Sequence, residues 1–396
     1  MSDDACATHL ALLKLHAAGG ATEPRRQLLD LCISPEAALA AGRSRWRDAG
    51  MSVEQMRAME GADDAACQHN LRWLQQPGHH LVGWHDPDYP PLLRRVPSPP
   101  LMLFMAGDPA VLWHPSIAIV GSRRASAGGR DNARDFARSL AESGFAIASG
   151  LAAGIDTEAH HGALAVPGGL TIAVIGTGPD IAYPRANTRL QARVAEHGVV
   201  VSEHPPGAGV RREHFPSRNR ILAGLSLGTL VIEATERSGA LITARQAAEA
   251  GREVFAVPGS IHNPMARGCH RLIRDGAALV ERADEVITAA MPVAAELAAA
   301  LRGRLDGPNS VPMHRTRPLA LPEVPSVISL ELFTSGMSQD YQRLWEALGH
   351  DPTGMDQLVE RTRLTAADLS SMLLVMELEN RVAVEHGRYS RKSGSH

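Results

Sequence analysis

Aromatic residues are scarce in this chain, at 4%, while 44% of it is hydrophobic and 21% charged. That balance excludes disorder throughout and suits an ordinary globular protein. Cysteine is sparse too. Cys6, Cys32, Cys67 and Cys269 are far apart with no CxxC pair, which excludes a zinc ribbon or redox dithiol and leaves four thiols expected to be buried and free. No apolar run approaches roughly 18 residues, so no transmembrane helix is expected. The opening Met1-Ser2-Asp3-Asp4 is acidic where a signal peptide needs positive charge, and Lys14 and His16 interrupt the apolar stretch behind it; the expectation is a cytoplasmic protein without membrane contact. There is no basic excess. A formal charge of −3 means that any affinity for nucleic acid must come from a local patch. Nucleotide fingerprints are missing as well: the stretch from Gly176 lacks the third glycine of GxGxxG, and no GxxxxGK[ST] occurs. A nicotinamide or triphosphate cofactor is therefore excluded, and no cofactor is expected.

What is present divides into segments, and 396 residues suit two or three domains. From Ala5 to about Trp73 the apolar spacing is helical, broken at Gly19-Gly20. Ser34-Pro35 reads as an N-cap with proline at the first helical position, and Ser52-Val53-Glu54-Gln55 as a capping box. Residues 1–75 are thus expected to form a small all-helical (SAM-like) domain. Leu81 to Trp84 and Leu101 to Ala106 suit strands on either side of a proline-rich loop. From Ser116 short β-branched runs alternate with helical segments: Ile117–Val120, Phe145–Ala148, Thr171–Ile175, Val199–Ser202, Thr229–Ile232 and Val254–Val257. That alternation predicts an α/β fold with a doubly wound parallel sheet, ending near Ala290. Residues 291–336, with Pro308, Pro312, Pro318, Pro322 and Pro325, read as an extended linker. Helices around Leu344 and Trp345, over Met355 to Arg361 and from Thr365 onward precede a hairpin with Val382, Val384 and Tyr389 around His386-Gly387, the pattern of a C-terminal winged helix over 337–396.

The first strand of the sheet runs into Gly121-Ser122-Arg123. A glycine at that turn lets backbone approach a ligand, and free N–H groups at the following helix start favour an anion. The second strand runs into Ser149-Gly150-Leu151-Ala152-Ala153-Gly154-Ile155-Asp156 and the third into Gly176-Thr177-Gly178-Pro179, placing further glycines where ligands bind on such sheets. Arg211-Arg212-Glu213-His214-Phe215-Pro216-Ser217-Arg218-Asn219-Arg220 sets four arginines against one glutamate beside an aromatic ring, a combination suited to an unpaired polynucleotide. If each arginine neutralised one phosphate, log affinity would fall with log salt at a slope of about −3. Gly224-Leu225-Ser226-Leu227-Gly228 matches GxSxG, but a helix is expected before the serine and a strand after it, the reverse of a nucleophile elbow. Asp156, Glu158, His160 and His161 read as capping and packing residues rather than metal ligands.

These and further blocks resemble the DNA processing protein A (DprA/Smf) family over about Leu81 to Val280. They are GSR at Gly121, SGLAAGIDTEAHHGAL from Ser149, YPRAN from Tyr183, SEHPPG from Ser202, FPSRNRILAGLS from Phe215, EATERSGALITA from Glu233, FAVPG from Phe255 and RGCHRLIRDGA from Arg267. The resemblance implies an extended Rossmann domain that binds single-stranded DNA, protects incoming strands and loads the RecA recombinase during natural transformation, as a homodimer and without catalysis. It further implies that Gly121, Ser122, Arg123, Ser149, Gly150, Arg218, Asn219, Arg220, Ser238 and Gly239 hold phosphate, with Phe215 and Pro216 shaping a base pocket. Members often carry a lysine just before the FPxRN block; here Arg211, Arg212 and His214 occupy that region.

Two other readings compete. A nucleotide-processing enzyme akin to the phosphoribohydrolases is suggested faintly by Pro167-Gly168-Gly169, although Leu170-Thr171-Ile172 follows where their PGGxGTxxE motif needs its glutamate. A transcription regulator would read duplex DNA with the tail. Its third helix, Thr365 to Glu379, contains no lysine or arginine and carries Asp368, Glu377 and Glu379, which favours protein, or a second copy, over duplex DNA as its target.

Overall fold

The computed structural model describes residues 3–305, apart from 33 and 63, and residues 339–392, apart from 350, 380 and 386. Six helices come first: α1 (Asp3–Ala17), α2 (Glu23–Leu31), α3 (Pro35–Ala40), α4 (Gly42–Asp48), α5 (Val53–Glu60) and α6 (Asp64–Leu74). Gly19 and Gly20 both take positive φ where α1 ends. Ser34 caps α3, and the Ser52–Gln55 capping box is formed at α5. Buried Arg25 donates to the carbonyls of Leu15, His16, Gly20 and Ala21, a cation placed where the last turn of α1 leaves acceptors unpaired.

The nine-stranded sheet contains β1 (His79–Gly83), β2 (Met102–Gly107), β3 (Ser116–Val120), β4 (Ala146–Ser149), β5 (Thr171–Ile175), β6 (Val199–Ser202), β7 (Gly228–Val231), β8 (Glu253–Ala256) and β9 (Ala278–Leu279). Their spatial order is β1-β2-β6-β5-β4-β3-β7-β8-β9. All neighbours from β6 to β9 are parallel, while β2 joins β6, and β1 joins β2, antiparallel. The six strands expected from sequence are all present within a residue or so of their predicted bounds. The order reverses between β3 and β7, the switch point of the sheet.

Between the strands lie α7 (Pro91–Arg94), α8 (Ala127–Glu142), α9 (Ile155–Leu164), α10 (Thr188–His197), α11 (His214–Leu225), α12 (Gly239–Glu249), α13 (Arg267–Arg274) and α14 (Ala283–Leu305). Alternation along each strand assigns them to two faces. Ile117 and Ile119 of β3 pack with Phe136 and Leu140 of α8 and Ile155 of α9; Ala118 and Val120 pack with Ile221 and Leu225 of α11 and Ala244 of α12. Similarly, Leu103 and Met105 of β2 join the main core, whereas Met102 and Phe104 join Leu12, Leu28 and Trp73 of the N-terminal helices. Those helices are packed directly on the antiparallel edge of the sheet.

Helix α14 continues through Ala290, where the sequence reading placed the end of this domain, to Leu305. Val286, Ala290 and Leu297 hold it to the core; an apolar stripe outweighs the helix-breaking tendency of Pro292 inside it. The prolines from Pro308 to Pro325 lie outside the described residues. Cys67 and Cys269 are buried, but Cys6 and Cys32 are only partly so, a correction to four buried thiols. Among the described residues, no helix is long and apolar enough to cross a membrane.

Residues 339–392 contain α15 (Gln339–Ala347), β10 (Thr353–Gly354), α16 (Met355–Thr362), α17 (Ala366–Leu378), β11 (Val382–Glu385) and β12 (Arg388–Arg391). Thr365 caps α17 by accepting from the Asp368 N–H. β12 pairs antiparallel with β11 as the wing and with the short β10. Leu344, Leu358, Leu369, Leu373, Met376 and Val382 form the core of this winged helix.

Candidate nucleic-acid interface

Loops leaving the parallel strands at their C-terminal ends are tied into one rim. Ser122 N–H donates to the Glu233 carbonyl at 2.8 Å and Ile155 N–H to the Ser122 carbonyl at 3.2 Å. Gly154 has φ +82°, and a Cβ there would collide with the Ser122 carbonyl. Only glycine meets both demands. Further along, Gly178 N–H donates to Ala208 O at 2.8 Å and Gly207 N–H to the Asp180 carboxylate at 2.9 Å, joining the loops after β5 and β6.

The start of α8, expected to offer free N–H groups to an anion, already has one. Buried Glu233 accepts from Ser126 N–H at 2.9 Å, from Ser126 Oγ at 2.6 Å and from Asn263 Nδ2 at 3.2 Å. Ser126 Oγ in turn accepts from Gly129 N–H at 3.0 Å, and a Cβ at Gly129 would displace the Glu233 carboxyl group. The position that receives pyrophosphate in dinucleotide-binding folds is thus filled by a side chain. Ser122 is buried, its hydroxyl accepting from Arg124 N–H at 3.1 Å. Gly121 packs on Ile155. Of the GSR block, Arg123 is the exposed member.

From His214 onward the arginine-rich segment is α11. Pro216 falls in the first turn, where a missing N–H costs nothing, and helical spacing then sends its arginines in different directions. Arg211 and Arg212 stay exposed. Arg218 is buried, donates to the Val174 carbonyl and lies 4.0 Å from the buried Asp156 carboxylate. A Cβ on Gly150 would occupy the same space as the Arg218 guanidinium. Burial pushes the Asp156 carboxyl up, opposed by the Arg218 charge, and pushes Arg218 down, opposed by Asp156. Arg220 Nη2 donates to both Glu203 carboxylate oxygens, at 2.6 and 2.8 Å. Four free phosphate contacts from this segment therefore become two.

Ser149 is fully buried and donates to Ile119 O at 2.7 Å. Ser238 caps α12 by accepting from Ala240 N–H, and Gly239 beside it faces open space. Asn219 is half-buried. His214 lies parallel to His204 with centroids 3.6 Å apart and its Nδ1 3.0 Å from Gly176 O. Burial, then the His214 and Arg220 charges, pushes His204 down to about 4.

One surface group, with Arg123 and Tyr183 exposed and Phe215 half-buried, could take a base. The Arg123 guanidinium lies 5.3 Å from the centroid of the Phe215 ring, and Tyr183 meets Phe215 at 5.4 Å with a tilt of 51°. Phe215 is brought in by the first turn of α11, Arg123 by the loop after β3, and Tyr183 by the loop after β5. Tyr183 belongs to the YPRAN block, for which the resemblance implied no role. Its signal was an aromatic residue before Pro184-Arg185 on a loop of the same rim. Glu233 and Glu203, which fix a helix start and a cation, were also missed, because carboxylates distant in sequence carry no local signature of pairing.

The sites set aside have structural partners. Ser226 is buried between α11 and β7 and donates to Leu222 O at 3.0 Å; His160 Nδ1 lies 2.7 Å from Thr171 Oγ1; Glu158 pairs with Arg134 at 2.6 Å.

Residues 80–291 match the family model described as DNA recombination-mediator protein A, and residues 331–388 that of the DprA winged helix domain. Protein Smf of Escherichia coli K12 is 37% identical over 344 residues, 86% of this chain and 85% of that protein. DNA processing protein DprA of Streptococcus pneumoniae is 48% identical over 202 residues, 51% of this chain and 71% of that protein. The X-ray structure of DprA from S. pneumoniae superposes with a TM-score of 0.64 at 37% identity, covering 71% of this chain and 97% of that one. With family models matching residues 80–291 and 331–388 and a relative 37% identical over 86% of the chain, the chain belongs to the DNA recombination-mediator protein A family, the DprA/Smf proteins.

Proposed function

We propose that this protein binds single-stranded DNA along the C-terminal rim of its sheet, protects it and delivers it to the RecA recombinase during natural transformation, acting as a homodimer in the cytoplasm and by binding rather than catalysis. The observation that carries the reading is the cluster of exposed Tyr183 and Arg123 against half-buried Phe215, with the exposed cations Arg211 and Arg212 just before it in the chain. Rings accept any unstacked base, and guanidinium groups beside them follow a phosphate chain without reading sequence. Membership in a family described as recombination mediators supports the same direction.

The test is a salt-dependent titration of the intact chain against a single strand and a duplex of equal length. Clear preference for the single strand, lost in Phe215→Ala with Arg123→Ala, is the expected result; equal affinity for both forms overturns it. RecA delivery is tested by the rate of filament nucleation on strands precoated with a single-strand-binding protein, which the full chain should raise.

The phosphoribohydrolase-like alternative has less to stand on. Pro167-Gly168-Gly169 lies between α9 and β5, leading into the N-terminal end of the strand, opposite the rim where ligands bind on parallel sheets. Release of free base from nucleoside monophosphates would revive it.

A further inference from the structure

The third helix of the winged domain is built for burial on two sides. Leu369, Met372, Leu373 and Met376 of α17 fill the domain core. On the opposite side Leu374 is 57%, Val375 40% and Leu378 79% exposed. These three are neighbours on the helix surface at spacings of three and four, and Ser371 extends the patch by one turn. In a winged helix this is the surface that enters the major groove. Between Arg363 and Arg381 the chain has no cation, while Asp368 stands at one end of α17 and Glu377 and Glu379 at the other. Apart from the Ser370 and Ser371 hydroxyls, phosphate would meet carboxylates and apolar surface there.

We infer that this face docks a partner protein's amphipathic helix whose apolar stripe is flanked by lysine or arginine. Charge decides between the occupants. A second copy docking through the same helix would bring carboxylate against carboxylate, whether the helices ran parallel or antiparallel, since both ends of α17 are acidic. Arg381 offers a copy little relief, because it already pairs with Glu379 at 3.3 Å and lies 4.7 Å from the centre of the Trp345 ring. A helix with cations beside its leucines satisfies both features of the face: it covers the Leu374, Val375 and Leu378 side chains and sets its charges against Glu377 and Asp368.

The experiment uses the full chain and two fluorescent helical peptides that share leucines at spacings of three and four, one flanked by lysine and the other by glutamate. The lysine-flanked peptide should bind at least ten-fold more tightly. Leu374→Glu with Leu378→Glu should cost a further ten-fold or more, with single-strand affinity unchanged as the check on folding. Glu377→Lys with Asp368→Lys, which removes no apolar contact, should shift preference toward the glutamate-flanked peptide. Equal binding of both peptides, indifference to the leucine substitutions, or a dimer that these substitutions dissociate would each overturn the inference. So would duplex DNA affinity that falls when they are made. Because single-strand binding is read in parallel, failure here leaves the proposed rim site standing, and failure there leaves this face untouched.

Discussion

The guanidinium of Arg123 rests over the ring of Phe215, 5.3 Å from its centroid, so a cation from the loop after β3 and an aromatic side chain from α11 form one surface. Such contacts contribute about 0.5–1 kcal/mol at exposed sites. Each side chain thus helps to hold the other in place for a ligand.

The two residues should therefore be coupled in binding. Arg123→Ala and Phe215→Ala are each expected to weaken single-strand affinity by roughly 1–3 kcal/mol. The double variant should lose less than the sum, by about 0.5 kcal/mol or more. Fluorescence anisotropy with a labelled oligonucleotide measures the cycle; strict additivity would refute a shared surface.

Arg218 and Arg220 are expected to act on stability before they act on binding. Removing Arg218 leaves the Asp156 carboxylate buried without its cation, an event that typically costs about 3–5 kcal/mol. Arg220→Ala strips Glu203 of the Nη2 donor that both its oxygens share and should lower the unfolding midpoint to a lesser degree. The family resemblance implied a phosphate-holding role for Arg220, which would make the same change weaken binding first. Denaturant unfolding distinguishes the two outcomes.

Salt dependence counts the free cations. With Arg123, Arg211 and Arg212 exposed, and Arg218 and Arg220 engaged internally, log affinity should fall against log salt with a slope of about −2 at ~0.7 per phosphate contact. Arg211→Ala or Arg212→Ala should each flatten it by about 0.7. A slope of −3 or steeper would bring in cations beyond these three.

Acid should unfold the protein through buried His160 and half-buried His16 and His204. Burial pushes His160 from its ordinary 6.5 down to about 3, and His16 and His204 down to about 4. Below 6.5 the unfolded chain takes up protons that the folded chain refuses, so this stability is present above pH 6.5 and is lost as pH falls toward about 4 and then 3. A pH series of thermal unfolding should show the midpoint dropping across that window, with a shallower slope in His204→Gln. A midpoint independent of pH between 6.5 and 4 would contradict it.

Much of the fold was legible from local pattern. The β-branched runs, the capping box at Ser52 and the Thr365 cap each depend on neighbours a few residues away, and each lies where its pattern indicated. The seventh parallel strand, Ala278–Leu279, was not legible, because two residues have no period. The candidate site was legible only in part. Its residue types were visible at Gly121-Ser122-Arg123 and from Arg211 to Arg220, but not which of them faced outward.

By itself the sequence determined the alternation of strands and helices, the winged-helix tail, the lack of a nucleotide fingerprint and the family. All of these follow from the order of residues along the chain. Tertiary structure alone decided which cations remain free. It set Glu203 against Arg220, Asp156 near Arg218 and Glu233 at the start of α8, while leaving Arg123 to meet Phe215 and Tyr183. Charge pairing depends on distance in space, and a parallel sheet gathers at one rim loops that the chain keeps dozens of residues apart.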